Sequence, residues 1–266
     1  MRGISAKSLD EVLAVVGAVQ GPTGDLGAEL FEIVSTLDRE PALRRVLTDP
    51  STESGAKAGL AEQVFGQQVS ADALKILRSA VSGRWASGRD LTDGLETAGV
   101  TALIAGADAA GELDAVETEL FEVGRLVRSD AELRQVVSDR ALPAAAKGEL
   151  LSSLLGDKVT STTKALAAQA VAARTGSFER VLTAFGQTAA ARRNRLLAEV
   201  RVAAELSDDE RNRLAAALGK KYGREVQLNI VVDPSIVGGI AVSIGDEIVD
   251  GSMSTRLEGA RRRLAG

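Results

Sequence analysis

The 266-residue chain contains no cysteine and no histidine. Without thiol or imidazole, thiolate zinc sites, disulfides and histidine-based nucleophile pairs are excluded, so catalysis would fall to carboxylates, lysines, hydroxyls or the single Tyr222. The lack of cysteine fits a reducing compartment. Only 5 prolines, 5 Phe, 1 Trp and 1 Tyr are present. With Ala, Leu and Val abundant, that composition points to helices packed on helices through small side chains. Excess positive charge is also missing: the net charge of -5 argues against a surface built to neutralise nucleic-acid phosphates. The run Arg192, Arg193, Arg195 reads instead as a helix face or the C-terminal end of a helix. The longest apolar runs, VLAVVGAV at 12–19 and LAAQAVAA at 166–173, fall short of the roughly 20 residues that span a bilayer. Asp10 and Glu11 interrupt the N-terminal apolar stretch, so neither a membrane span nor an export signal is expected.

What the chain does contain is a repeat. At an offset of 90 positions, ELFE at 29–32 lies on ELFE at 119–122, and Leu43-Arg44 lies on Leu133-Arg134. Asp49 matches Asp139, Ala56-Lys57 match Ala146-Lys147, Leu60 matches Leu150, Gly66 matches Gly156 and Ala80-Val81 match Ala170-Val171. Arg84 and Ser87 match Arg174 and Ser177. Identities in register without a gap indicate a duplicated module. Each copy reads as short amphipathic helices: Leu26, Leu30, Ile33 and Leu37 form one apolar stripe, and Leu113, Val116, Leu120, Val123 and Val127 form its counterpart. On the second of these helices Glu112, Glu117, Glu119 and Arg125 are expected to face water. The cluster GPTGDLG at 21–27 lacks the Lys-Ser/Thr of a phosphate loop and follows no strand, so it reads as an inter-helix turn. Trp85 reads as core.

From Leu196 the period changes. Leu197, Glu199 and Arg201 alternate with Leu196, Ala198, Val200 and Val202, as in a strand. Ser207 stands three residues before Glu210, a capping box, and Gly223 marks the end of the helix that follows. EVQLNIVVD, IVGGIAVSIG and EIVDGS read as strands and MSTRLEGARRRL as a closing helix, a β-α-β-β-β-α order. The fold class expected is therefore mostly α: two tandem helical bundles, at 1–92 and 93–194, followed by a small α+β domain at 195–266. The glycines of the last segment read as turns, with Gly238-Gly239 inside a strand as a bulge or a close backbone approach. Asp233, Asp246, Glu247 and Asp250 lack the spacing of a calcium loop, and neither a metal nor another cofactor is expected.

The C-terminal residues resemble the delta subunit family of F-type ATP synthase, whose mitochondrial counterpart is the oligomycin sensitivity-conferring protein. The signature is met by Asp233, Pro234, Ile236, Val237, Gly238, Gly239, Ile244, Gly245, Asp246, Val249, Asp250, Gly251, Ser252, Arg256 and Leu257. A second helical copy in front resembles the actinobacterial form. The resemblance implies a non-catalytic peripheral-stalk subunit on the cytoplasmic face of the cell membrane. It would tie the catalytic alpha/beta head to a b-type stalk and couple rotation to ATP synthesis and proton transport. It also implies that the helical domain grips N-terminal helices of alpha subunits along its first and fifth helices, here about 93–108 and 160–173. The groove residues would be Leu103, Ile104, Ala167, Ala170 and Val171. A helical adaptor outside ATP synthase would account for the duplicated bundle but not for the C-terminal signature.

Overall fold

The computed structural model describes residues 3–250 except 20–22, 140, 174–175, 193–194, 224, 234–235, 237–238 and 245–246. The first copy supplies α1 (Ile4–Gly17), α2 (Gly24–Arg39), α3 (Pro41–Thr48), α4 (Ser54–Phe65), α5 (Ala71–Ser82) and α6 (Gly88–Ala109). The second supplies α7 (Leu113–Ser129), α8 (Ala131–Ser138), α9 (Ala144–Leu155), α10 (Ser161–Ala172) and α11 (Phe178–Arg192). The helices α8, α9 and α10 begin and end 90 positions after α3, α4 and α5, so the sequence repeat is a structural one. Both stripes read from the sequence are buried along their whole length.

Repeated residues do repeated work. The Ser70 hydroxyl accepts from the Ala73 amide at the start of α5, and the Thr160 hydroxyl accepts from the Thr163 amide at the start of α10. A hydroxyl at this position satisfies one of the amides that the first helical turn leaves without a partner. The Asp49 carboxylate takes the Ser51 amide at 2.8 Å, and the Asp139 carboxylate takes the Ala141 amide at 2.8 Å, so the chain turns the same way after α3 and after α8. The matched lysines, Lys57 and Lys147, are both buried. The Lys147 Nζ donates to the carbonyls of Val137 (3.1 Å) and Asp139 (2.9 Å), closing the carbonyl end of α8 with a cation, the sign that this end favours.

The 22-residue α6 serves both copies. Ninety positions on from α1 lies 94–107, within α6, while α6 itself starts 90 positions before α11. One uninterrupted helix is thus sixth in the first copy and first in the second, and the boundary read at residues 92 and 93 falls inside it. Leu91, Leu95, Ala98 and Ala102 join Leu30, Ile33, Leu37, Ile76 and Leu77 in one core, where each fully buried large side chain contributes about 1.5–3 kcal/mol. Trp85 packs against this core and donates from Nε1 to the Ala80 carbonyl at 2.7 Å.

Two buried serines on α1 fix the link between α5 and α6. Ser8 Oγ donates to the Arg84 carbonyl (2.7 Å) and accepts from the Arg84 amide (2.9 Å). Ser5 Oγ accepts from the Ala86 amide (2.9 Å) and donates to the Asp90 carboxylate. Hydrogen bonds from Ser5 first and Ser87 second hold the Asp90 carboxyl below its ordinary range. A depressed folded-state value contributes stability above the unfolded-state value, and that stability is lost as pH falls through the folded one. The difference in unfolding free energy between the wild type and Asp90→Asn is therefore expected to be constant above about pH 5 and to shrink below about pH 4. Urea titrations across that range check it; a difference independent of pH would refute the assignment.

The C-terminal segment forms β1 (Arg195–Val202), α12 (Asp208–Tyr222), β2 (Glu225–Val232), β3 (Ile240–Ile244) and β4 (Glu247–Asp250) in a sheet ordered β2-β1-β3-β4. The strands β1 and β2 are parallel, with Ala198 opposite Leu228 and Val202 opposite Val232. Parallel neighbours need a crossover, and α12 provides it. The other pairs, β1 with β3 and β3 with β4, are antiparallel. Ala198, Val200 and Val202 face a core completed by Leu218, Val226 and Val242, as the alternation implied. The capping box of Ser207 and Glu210 is present, and Gly223 ends α12 in the left-handed region at φ 68°. The closing helix read at 253–264 lies outside the described residues, as do Pro234, Gly238, Gly245, Asp246 and Gly251 of the signature.

Gly239 stands immediately before β3, not within a strand, with φ 87°. A β-branched residue there costs about 1–3 kcal/mol. Gly239→Val is expected to lower the urea midpoint followed through Tyr222 on α12 while leaving that of Trp85 in the helical core in place. The single Trp and single Tyr make the two signals separable. Equal Tyr222 midpoints for variant and wild type would count against strain at this position.

Two compact units divide the molecule. The first comprises the described residues up to Val116 together with Ala131–Phe178; the second comprises Glu117–Asp130 together with the described residues from Glu179 onward.

Candidate partner-binding site

The five residues marked for partner contact all belong to the first unit. Leu103 and Ile104 lie on α6, and Ala167, Ala170 and Val171 on α10. Their exposures run only from 0% at Ala167 to 8% at Val171, with Leu103 at 3%. The two helices are joined by a hydrogen bond of 2.7 Å from the Gln169 side-chain amide to the Glu96 carboxylate.

The cover over Leu103 is α2. This helix makes its most extensive contact with α6 and also touches α10. The approach depends on two glycines. A Cβ added at Gly27 would lie 2.4 Å from Leu103 Cγ and 2.8 Å from the Gly99 carbonyl oxygen; one added at Gly99 would lie 2.6 Å from Phe31 Cε1. Near the start of α2, the Thr23 hydroxyl donates to the Ala102 carbonyl at 2.8 Å in a buried bond. Backbone thus nearly meets backbone, closer than helices separated by ordinary side chains come. The sequence pattern places Gly27 in a turn. The structure starts α2 at Gly24 and uses Gly27 as a contact residue, a role visible only once α6 is beside it.

The matching positions on the first copy are differently placed. Leu13 and Ala14 of α1 correspond to Leu103 and Ile104; Leu13 is half-buried and Ala14 exposed. Leu77, Ala80 and Val81 of α5 correspond to Ala167, Ala170 and Val171 and are buried like them.

In the second unit, Glu117, expected to face water, is 1% exposed. It borders a cavity of about 100 Å³ with Leu120, Leu182, Glu199, Asn229 and Ser243. The stripe Val116, Leu120, Val123 and Val127 covers only part of what α7 buries, and helical periodicity cannot reveal a second buried face. Asp233, weighed as an oxygen ligand, is ion-paired with Arg201 at 2.7 Å, and Glu247 is ion-paired with Lys221 at 3.2 Å. Among the described residues no group of three or more acidic side chains is placed to hold a metal ion. Nor, among them, is any helix long and apolar enough to cross a membrane.

The fold defines a mostly helical protein made of a duplicated bundle and a small mixed-sheet domain. The sequence model of the ATP synthase delta (OSCP) subunit family matches residues 100–264. The chain belongs to that family, as the signature at its C-terminal end implied. The match begins within α6, where the second copy begins. Similar proteins share the first copy too. The ATP synthase subunit delta of Streptomyces griseus is 46% identical over 91% of this chain and 89% of its own. That of Streptomyces coelicolor is 43% identical over 100% and 98%, and that of Acidothermus cellulolyticus 41% identical over the full length of both.

Proposed function

We propose that this chain is a non-catalytic stator subunit of an F-type ATP synthase, tying the alpha/beta head to the b-type stalk so that rotor torque drives synthesis instead of spinning the head. The observation that carries the reading is the family match over residues 100–264. The residue chemistry agrees with it, since neither cysteine nor histidine is available for catalysis. In this reading the helical copies take alpha-subunit N-terminal helices into apolar grooves, and the C-terminal domain holds the end of the stalk. Several modest contacts on one chain multiply their effective concentrations into a firm link. The protein would sit at the cytoplasmic face of the cell membrane, attached through the complex alone.

Affinity purification of the tagged chain from native membranes tests this. Recovery with the alpha, beta and b-type subunits is expected, together with uncoupling of ATP hydrolysis from proton pumping in membranes stripped of the chain and its restoration on adding the chain back. Purification without those subunits would refute the reading and favour an adaptor outside ATP synthase.

A further inference from the structure

Helix α1 is built unlike α5 and α6, the two helices it packs against. Its buried residues are Ser5, Ser8, Val12 and Val16, so half of its inward row is hydroxyl. Its two leucines, Leu9 and Leu13, are only half-buried. By comparison, α5 buries Ala73, Ile76, Leu77, Ala80 and Val81, and α2 buries Leu26, Leu30, Ile33, Val34 and Leu37. The ends of α1 are weakly finished as well. Gly3 at its N-cap offers no side-chain bond, no acid lies in the first turn and no base in the last. Both α5 and α6 have serine caps, Ser70 and Ser87, and an acid in the first turn, Asp72 and Asp90. The exposed pair of Lys7 and Glu11, at 4.0 Å, runs in the order that the helix dipole disfavours.

We infer that α1 is a strap, which lifts from α5 and α6 as one piece while the rest of the first copy stays folded, and that Ser5 and Ser8 form the latch that seats it. The latch is directional. Ser8 Oγ closes on both backbone groups of Arg84, and Ser5 Oγ joins the Ala86 amide to the Asp90 carboxylate. Gly83 lets α1 come this close, since a Cβ there would lie 2.9 Å from Ser8 Oγ. Bonds of this kind hold α1 in one position at little net gain, because on lifting every one of these groups finds water in exchange. What lifting forfeits in apolar burial is chiefly Val12 and Val16. Removing α2 or α5 would instead uncover several large side chains that are fully buried, at a much greater cost. The opening of α1 therefore lies far below global unfolding in free energy, as local openings with few buried apolar contacts do. Lifting uncovers the strip of α5 and α6 beneath it, so the first copy has a second surface that is available only in the open state. This motion belongs to the chain alone and is independent of any partner in the proposed complex.

Native-state amide hydrogen exchange of the full-length protein, read residue by residue by NMR at low urea concentrations, tests this. The central amides of α1, from Asp10 to Ala14, are expected to exchange together, at least about 100-fold faster than those of α5 and α6. Their rates should also depend less steeply on urea, because the opening exposes less surface than global unfolding does. The variant Ser8→Ala, which removes both bonds to Arg84, is expected to speed the exchange of α1 at least about tenfold further. Central amides of α1 that exchange at the rate and with the urea dependence of those in α5 would overturn the inference, since α1 would then leave only when the whole unit unfolds. Fast exchange confined to the ends of α1, with slow central amides, would overturn it too, by showing fraying in place of lifting. Exchange of α1 unchanged by Ser8→Ala would refute the latch.

Discussion

Gly27→Leu is expected to destabilise the helical unit by about 3 kcal/mol, at the upper end of what overpacking costs. The first atom added already causes the conflict. At Gly27 a Cβ falls 2.4 Å from the Leu103 side chain and 2.8 Å from the Gly99 carbonyl oxygen. Leu103 can rotate away, but a backbone carbonyl inside a helix cannot, so α2 and α6 must separate. Separation strains the buried bond from Thr23 to Ala102 and loosens the core around Leu30 and Leu95. Urea unfolding followed through Trp85, which packs against this core, should show the loss, and the Tyr222 transition should stay where it was. Gly17→Leu makes the control, since no atom lies within 4 Å of a Cβ there. A midpoint for Gly27→Leu as high as that of Gly17→Leu would mean that the helices do not approach as described.

Lys147→Met is expected to cost about 3 kcal/mol, although lysine is the side chain that one would first treat as replaceable on a surface helix. Lys147 is 7% exposed, and its ammonium serves two carbonyls, of Val137 and Asp139, at the end of α8. Methionine keeps the length and apolar character of the stem, so the loss is confined to the charged head. Two carbonyls would then be left short of a donor, that of Val137 in a buried setting and that of Asp139 in a partly buried one. Hydrogen bonds to charged groups contribute about 1.5–3 kcal/mol each, and the cost of taking the ammonium out of water on folding offsets part of the sum. Lys158→Met, at an exposed lysine of the same copy, should stay within about 0.5 kcal/mol of wild type. Thermal unfolding by circular dichroism measures both. A Lys147→Met loss below about 1 kcal/mol would show that the two bonds contribute little.

The matching positions of Lys57 and Lys147 follow from the repeat, since each lysine stands eight residues after the aspartate that turns the chain, Asp49 or Asp139. Aspartate turn and lysine form a local motif, and spacing of this kind is legible in the residues alone. So are the apolar stripes, the capping box of Ser207 and Glu210, the stop at Gly223 and the alternation of β1. Each depends on the spacing of residues within a single helix, turn or strand, where the period of 3.6 or 2 fixes the direction of every side chain. The family signature is legible for a similar reason, being a run of turn residues and glycines at fixed separations.

Other features have no local signal. Ser5 and Ser8 are ordinary residues of α1 until the link at 84–90 folds onto them. Glu117 belongs by pattern to a solvated face and is buried. Asp233 has the chemistry of a metal ligand and is paired with Arg201, 32 residues away. In each case the deciding neighbour is distant in sequence, and one chain without its contacts cannot report which distant group arrives.

By itself, then, the sequence determined the duplication, the helical and strand periods, the caps and the family, because all are written in short-range spacing or in residue identity. Only the tertiary structure decided that α6 is shared by both copies, that Gly27 and Gly99 let α2 pack closely over Leu103, and that Ala14, the equivalent of the buried Ile104, is exposed. The physical reason is that a glycine or an alanine carries no mark of what will pack against it. Its small size permits a close approach, and whether another helix makes that approach is settled by how the whole chain comes together.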